Sequence, residues 1–165
     1  MAIKDSFTQD EWKQVLQSVQ MVSMAVVAAS PSGPIGAMQE MFAAGKLLAK
    51  MKREGATNDI IKGIIDEIST SEGRSRAQEG LRESFKGLNA EQAKGKAIEA
   101  VKAVGALVDR KVEGPQAGEF RRWLGTVGQS VAEAATEGGF LGFGGTAVND
   151  AEKAVLKDLG QALGL

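Results

Sequence analysis

The chain has 165 residues, 43% hydrophobic and 25% charged, with 20 basic and 21 acidic side chains and a net charge of -1. That is the balance of one globular domain with room for a sizeable core. It contains no His, no Cys and no Tyr, which excludes histidine–cysteine zinc sites, thiol nucleophiles, haem or iron–sulfur ligation by those residues, and Ser-His-Asp catalysis.

The first helix has a clear start. Thr8 suits the N-cap, and Glu11 three residues later completes a capping box. Phe7 and Trp12 flank it as a hydrophobic staple. Trp12, Leu16, Val19 and Val26 make one stripe, with Val15 and Val22 beside it. Beyond Val19 the helix is apolar on nearly all sides as far as Ala29. A helix apolar all round is buried, so this one is expected at the centre. Ser30-Pro31-Ser32-Gly33-Pro34 ends it. Pro34 suits the first turn of a second helix, which carries Met38, Met41, Phe42, Leu48 and Met51. Gly55 reads as its stop. Thr57 or Asn58 caps a third helix, in which Ile60, Ile61, Ile64, Ile65 and Ile68 recur at helical spacing. Asp66 and Glu67 are neighbours there, and adjacent helix positions do not face each other. No shared acid–base site is therefore expected of them.

Residues 69–88 form the weakest segment. Ala77, Leu81 and Phe85 give a thin stripe that Gly73, Gly80 and Gly87 interrupt. Each interior glycine costs about 1 kcal/mol against alanine. A single marginal, mobile helix from about Glu72 to Lys86 is expected. Asn89 with Gln92 then opens a long helix to about Val112, with Ile98, Val101, Val104, Leu107 and Val108 on its core face. Gly114-Pro115 punctuates the chain. Phe120, Trp123, Leu124, Val127 and Val131 carry the next helix. Asn149 with Glu152 caps the last one, whose apolar face is Val155, Leu156, Leu159 and Leu163.

Between these last two helices lies Gly138-Gly139-Phe140-Leu141-Gly142-Phe143-Gly144-Gly145. It has the glycine spacing of a phosphate-binding loop, but Gly145 stands where that loop needs lysine, and a helix precedes it where a strand is needed. Its order, G-x-x-G-x-G, is not that of the dinucleotide fingerprint. The loop reads as a helix–helix connection with Phe140, Leu141 and Phe143 turned inward. Outward phenylalanines would make it a partner or membrane contact.

The fold class expected is all-α: about seven helices in one compact bundle over residues 1–165. It can be read as two pseudo-symmetric helix–loop–helix halves around a buried first helix. Trp12 precedes Gln17-Ser18-Val19 and a Gly/Pro break, as Trp123 precedes Gln129-Ser130-Val131 and the Gly loop. Gly36, Gly45, Gly63, Gly95, Gly105, Gly125 and Gly128 fall inside the helices and predict close helix packing.

These two loops and their flanking helices resemble the tellurite-resistance B-type (TerB-like) helical family. That family carries acidic loops of the type Asp-Gly-x-Ile-Ser-x-x-Glu in both halves. Val148-Asn149-Asp150-Ala151-Glu152 is similar to the second signature's helix start, and Gly33-Pro34-Ile35-Gly36 with Glu40 is a looser match to the first. The aspartate before the glycine is missing in both. The resemblance implies Asp150 and Glu152 as candidate metal-binding residues of a hard-cation stress protein. Read from the residues, they are a capping pair in a helix's first turn.

Any metal here must be a hard cation held by oxygen ligands, and any acid–base chemistry must use Asp, Glu or Lys. Charges interleave along the chain, with no basic tract to meet phosphates, so no nucleic acid is expected as partner. The leading expectation is a non-enzymatic domain that binds a protein partner or forms a homo-oligomer, with no cofactor. The alternative is a small apolar ligand in an interhelical pocket lined by Met21, Met24, Met38 and Met41, since methionine adapts to irregular apolar shapes. The first residues, Met1-Ala2-Ile3-Lys4-Asp5-Ser6, carry no signal-peptide apolar region. The longest nearly apolar run, Val19 to Ala29, falls short of the roughly 20 residues of a membrane span. A cytoplasmic protein without membrane contact is expected.

Overall fold

The computed structural model describes residues 2–30, 33–137 and 148–165, and the side chains of all these except 33–43 and 135–137. Eight α-helices lie within the described residues, with a 3-10 turn at Ile3–Ser6 and no strand. They are α1 (Gln9–Ala29), α2 (Gly33–Glu54), α3 (Asp59–Ile68), α4 (Ser71–Gln78), α5 (Leu81–Phe85), α6 (Ala90–Lys111), α7 (Gln116–Glu137) and α8 (Asp150–Leu163). No helix among the described residues is long and apolar enough to cross a membrane.

Local chemistry sets the starts. Thr8 Oγ1 accepts from the Glu11 N–H at 3.2 Å while the Thr8 N–H donates to Glu11 Oε2 at 2.7 Å. Phe7 and Trp12 pack at a tilt beside this box, ring centroids 5.6 Å apart. Asn89 and Gln92 make the same reciprocal pair on α6. On α3 the cap is Asn58, whose Oδ1 accepts from the N–H groups of Ile60 and Ile61. Each box satisfies two donors that a helix start otherwise leaves unpaired.

Helix α1 is the axis of the bundle. Val15, Leu16, Val22, Ala25 and Val26 are fully shielded from solvent. α1 packs most extensively against α6, then against α7 and α8, and meets α2, α3 and α4 as well. α2 lies mainly on α7, and α8 fills the space between α6 and α7. The two ends of α1 differ. Its first turns meet Glu67 of α3 and Glu79 at the end of α4, and Ser30, just past its C-terminus, meets the start of α8.

Two features differ from the sequence-based expectation. Segment 69–88 is two helices, α4 and α5, because Gly80 takes a left-handed backbone (φ +79). Glycine adopts that geometry without a β-carbon clash. The helical glycines are also not all packing contacts. A β-carbon on Gly128 would lie 3.2 Å from Val22, but on Gly45 or Gly95 it would meet open space. The two tryptophans sit in unlike surroundings: the Trp12 indole N–H donates to Glu67 Oε2 at 2.8 Å, and that of Trp123 points at the Met51 sulfur.

Candidate functional site

The N-terminal end of α1 carries a groove of about 600 Å3 formed by described residues. It is lined by Trp12 and Lys13 of α1, Glu67 of α3, Arg76 of α4 with Glu79 just past that helix, and Lys4 and Asp5 of the 3-10 turn. Three separate stretches therefore meet here, brought together by the packing of α3 and α4 on α1.

Each charge at the centre of the groove has a partner. Glu67 accepts from the Trp12 indole with one oxygen and from the Arg76 guanidinium with the other. Lys13 Nζ donates to Glu79 Oε2 at 2.7 Å. Gln17 Nε2, one turn along α1, donates to the backbone carbonyl of the same Glu79 at 2.9 Å. Two side chains on one helix face thus hold both the carboxylate and the main chain of one residue. Positions four apart lie on the same helix face, which makes this double grip possible. The Lys13 hydrogen bond, then its charge, holds the Glu79 carboxyl below the ordinary glutamate range; Arg76 adds to this and desolvation opposes it.

The corner that places Glu67 beside Arg76 depends on one glycine. A β-carbon on Gly73 would lie 1.9 Å from the Glu67 carbonyl oxygen. Only a bare α-carbon lets α4 turn so closely across the end of α3. Thr70 Oγ1 accepts from the Gly73 N–H at 3.0 Å and starts the helix there.

The residues singled out from sequence lie elsewhere. Met21 is buried in the core, and Met24 is half-buried against it. Neither lines this groove. The side chains of Met38 and Met41, and all of Phe140 and Phe143, lie outside the described residues. Asp150 faces solvent, 3.8 Å from Lys153 Nζ. Glu152 turns the other way and is 1% exposed. Its Oε2 accepts from the Asn149 N–H at 2.9 Å, and its Oε1 accepts from the Ser30 hydroxyl at 3.2 Å. The two carboxylates therefore diverge, and Glu152 ties the start of α8 to the end of α1. Among the described residues no three Asp or Glu side chains converge into a cation site.

Sequence reasoning missed Lys13, Gln17, Arg76 and Glu79. One signal was present: Lys13 and Gln17 share a face of a helix whose later turns are almost wholly apolar. Asp66 and Glu67 do point apart, Asp66 to solvent and Glu67 to Trp12.

Comparison with family models, curated proteins and solved structures found no match to this chain.

Proposed function

We propose that the protein is a non-enzymatic helical domain that binds a protein partner by seating an acidic, extended segment on α1. The observation that carries this reading is the grip of Lys13 and Gln17 on Glu79. One side chain reads a carboxylate while its neighbour reads a peptide carbonyl, which is the chemistry that recognises an acidic residue in an extended backbone. Glu79 itself has extended dihedrals (φ -60, ψ 123). The chain has no His or Cys, and the groove's central carboxylate, Glu67, is committed to Trp12 and Arg76. The groove is thus built of held charges, which suits recognition better than proton transfer.

The test uses the full chain and its own occupant in trans. A fluorescein-labelled peptide of residues Gln78 to Phe85 is titrated into the Glu79→Gln variant and followed by anisotropy. Binding is expected to Glu79→Gln, to be weaker to wild type, and to be lost when Lys13→Glu is added. Equal response of all three proteins would remove the reading. Light scattering across a concentration series covers self-assembly: a dimer abolished by Lys13→Glu assigns the same seat to a second copy.

A further inference from the structure

The seat has a cover. We propose that residues 71–88, helices α4 and α5 with the turn after them, form a strap that leaves α1 as a unit, well below the free energy of global unfolding, and so controls access to Lys13 and Gln17.

The strap is bounded by backbone suited to a hinge. Thr70 is extended (φ -91, ψ 156) before it, and Gly87 is left-handed (φ +76) at its end. Its apolar anchorage is slight. Gly73 and Ala77 are buried, but Leu81 and Phe85 are only half-buried, and no large side chain of the strap is fully covered. α5 has no extensive contact with another helix. Regions with few buried apolar contacts open locally before the whole molecule does.

What holds the strap is polar and near water. Lys13 and Gln17 hold Glu79, Arg76 pairs with Glu67, and Lys96 Nζ donates to the Ser84 carbonyl while lying over the Phe85 ring. Glu79 and Arg76 are exposed, with side-chain exposures of 68% and 51%. Water and salt compete for such ties, so each contributes little.

The inference rests on the partner reading only for what enters the seat. The opening itself is measured with no partner present, so the two fail separately. Hydrogen exchange of the wild-type chain, read by mass spectrometry, is expected to show amides 72–86 opening together, at least about tenfold more often than the core of α6. The chain's lack of cysteine permits a second readout. Ala77 and Val22 are both fully buried, so Ala77→Cys reports the strap and Val22→Cys reports the bundle. Thiol labelling is expected to be at least about tenfold faster at position 77. Glu79→Gln, or about 0.5 M salt, is expected to speed labelling at 77 but not at 22. Strap amides as protected as those of α6 would overturn the proposal, as would equal labelling at 77 and 22. A strap that opens while the Gln78–Phe85 peptide fails to bind removes the partner reading and leaves the strap.

Discussion

Helix α6 and the α4–α5 pair flank the same central helix and are held to it by opposite means. α6 buries Ala97, Val101, Val104, Gly105, Leu107 and Val108 in the core that it shares with α1. α4–α5 offers Ala77 and half-covered Leu81 and Phe85, with ion pairs and amide contacts around them. Apolar surface finds no substitute in water, so the α1–α6 seam is cooperative with the whole fold. A carboxylate released from Lys13 is simply hydrated, so the α1–α4 seam is exchangeable. One helix therefore has a permanent face and a negotiable one, and the candidate seat lies on the second.

The contrast breaks hardest at Leu16. This fully buried side chain is on the axis of the bundle, and Leu16→Ala is expected to cost about 2–5 kcal/mol by chemical denaturation. Thiol labelling of the Val22→Cys reporter combined with Leu16→Ala should then rise steeply, and that of Ala77→Cys by less, since the strap already opens by its own route. A loss well below that range would deny α1 its central role. Gly73→Ala comes next and acts on the other seam. The new β-carbon cannot sit 1.9 Å from the Glu67 carbonyl, so the α3–α4 corner must shift, at a cost of about 1–3 kcal/mol. Helix propensity alone would stabilise by about 1 kcal/mol, so the sign of the change in melting temperature decides whether the corner is this tight.

Asn149→Ala removes the acceptor for the Glu152 N–H and should cost about 1 kcal/mol in thermal melting, with strap labelling unchanged. Glu79→Gln should barely move the melting temperature at neutral pH while speeding labelling at position 77. Its pH dependence has a definite sign. The Glu79 carboxyl is held below the ordinary glutamate value of 4.5 by Lys13 and then Arg76. Its contribution is complete above that value and is lost as pH falls through the depressed one. The gap between wild type and Glu79→Gln should therefore close on acidification. The ratio of labelling rates at position 77 with and without Glu79→Gln, taken from pH 7 downward at about 0.1 M salt, checks this, and a ratio that grows would reverse the assignment.

Much of this fold was legible residue by residue. Thr8 with Glu11, Asn89 with Gln92, and Asn149 with Glu152 each close a box spanning three residues. Such pairs are determined by helix geometry alone. The isoleucines of α3 and the valines of α1 announced their faces by period. Gly80 was legible as an interruption, but not as a break between two helices. That required its positive φ, which neighbouring contacts decide. The groove was not legible, since Trp12 and Glu67 are far apart in the chain, as are Lys13 and Glu79. Nothing periodic links them.

Local pattern makes the chain helical, sets where most helices begin and buries α1, because propensity, capping and apolar spacing act over a turn or two. Which polar residues meet is set by the packing of the helices. That packing brought Glu79 onto Lys13 and Gln17, turned Glu67 toward Trp12, and sent Asp150 and Glu152 in opposite directions. Those outcomes depend on how helices cross and how tightly Gly73 lets one pass another. Crossing geometry is set by side chains distant in sequence, and no local pattern encodes it.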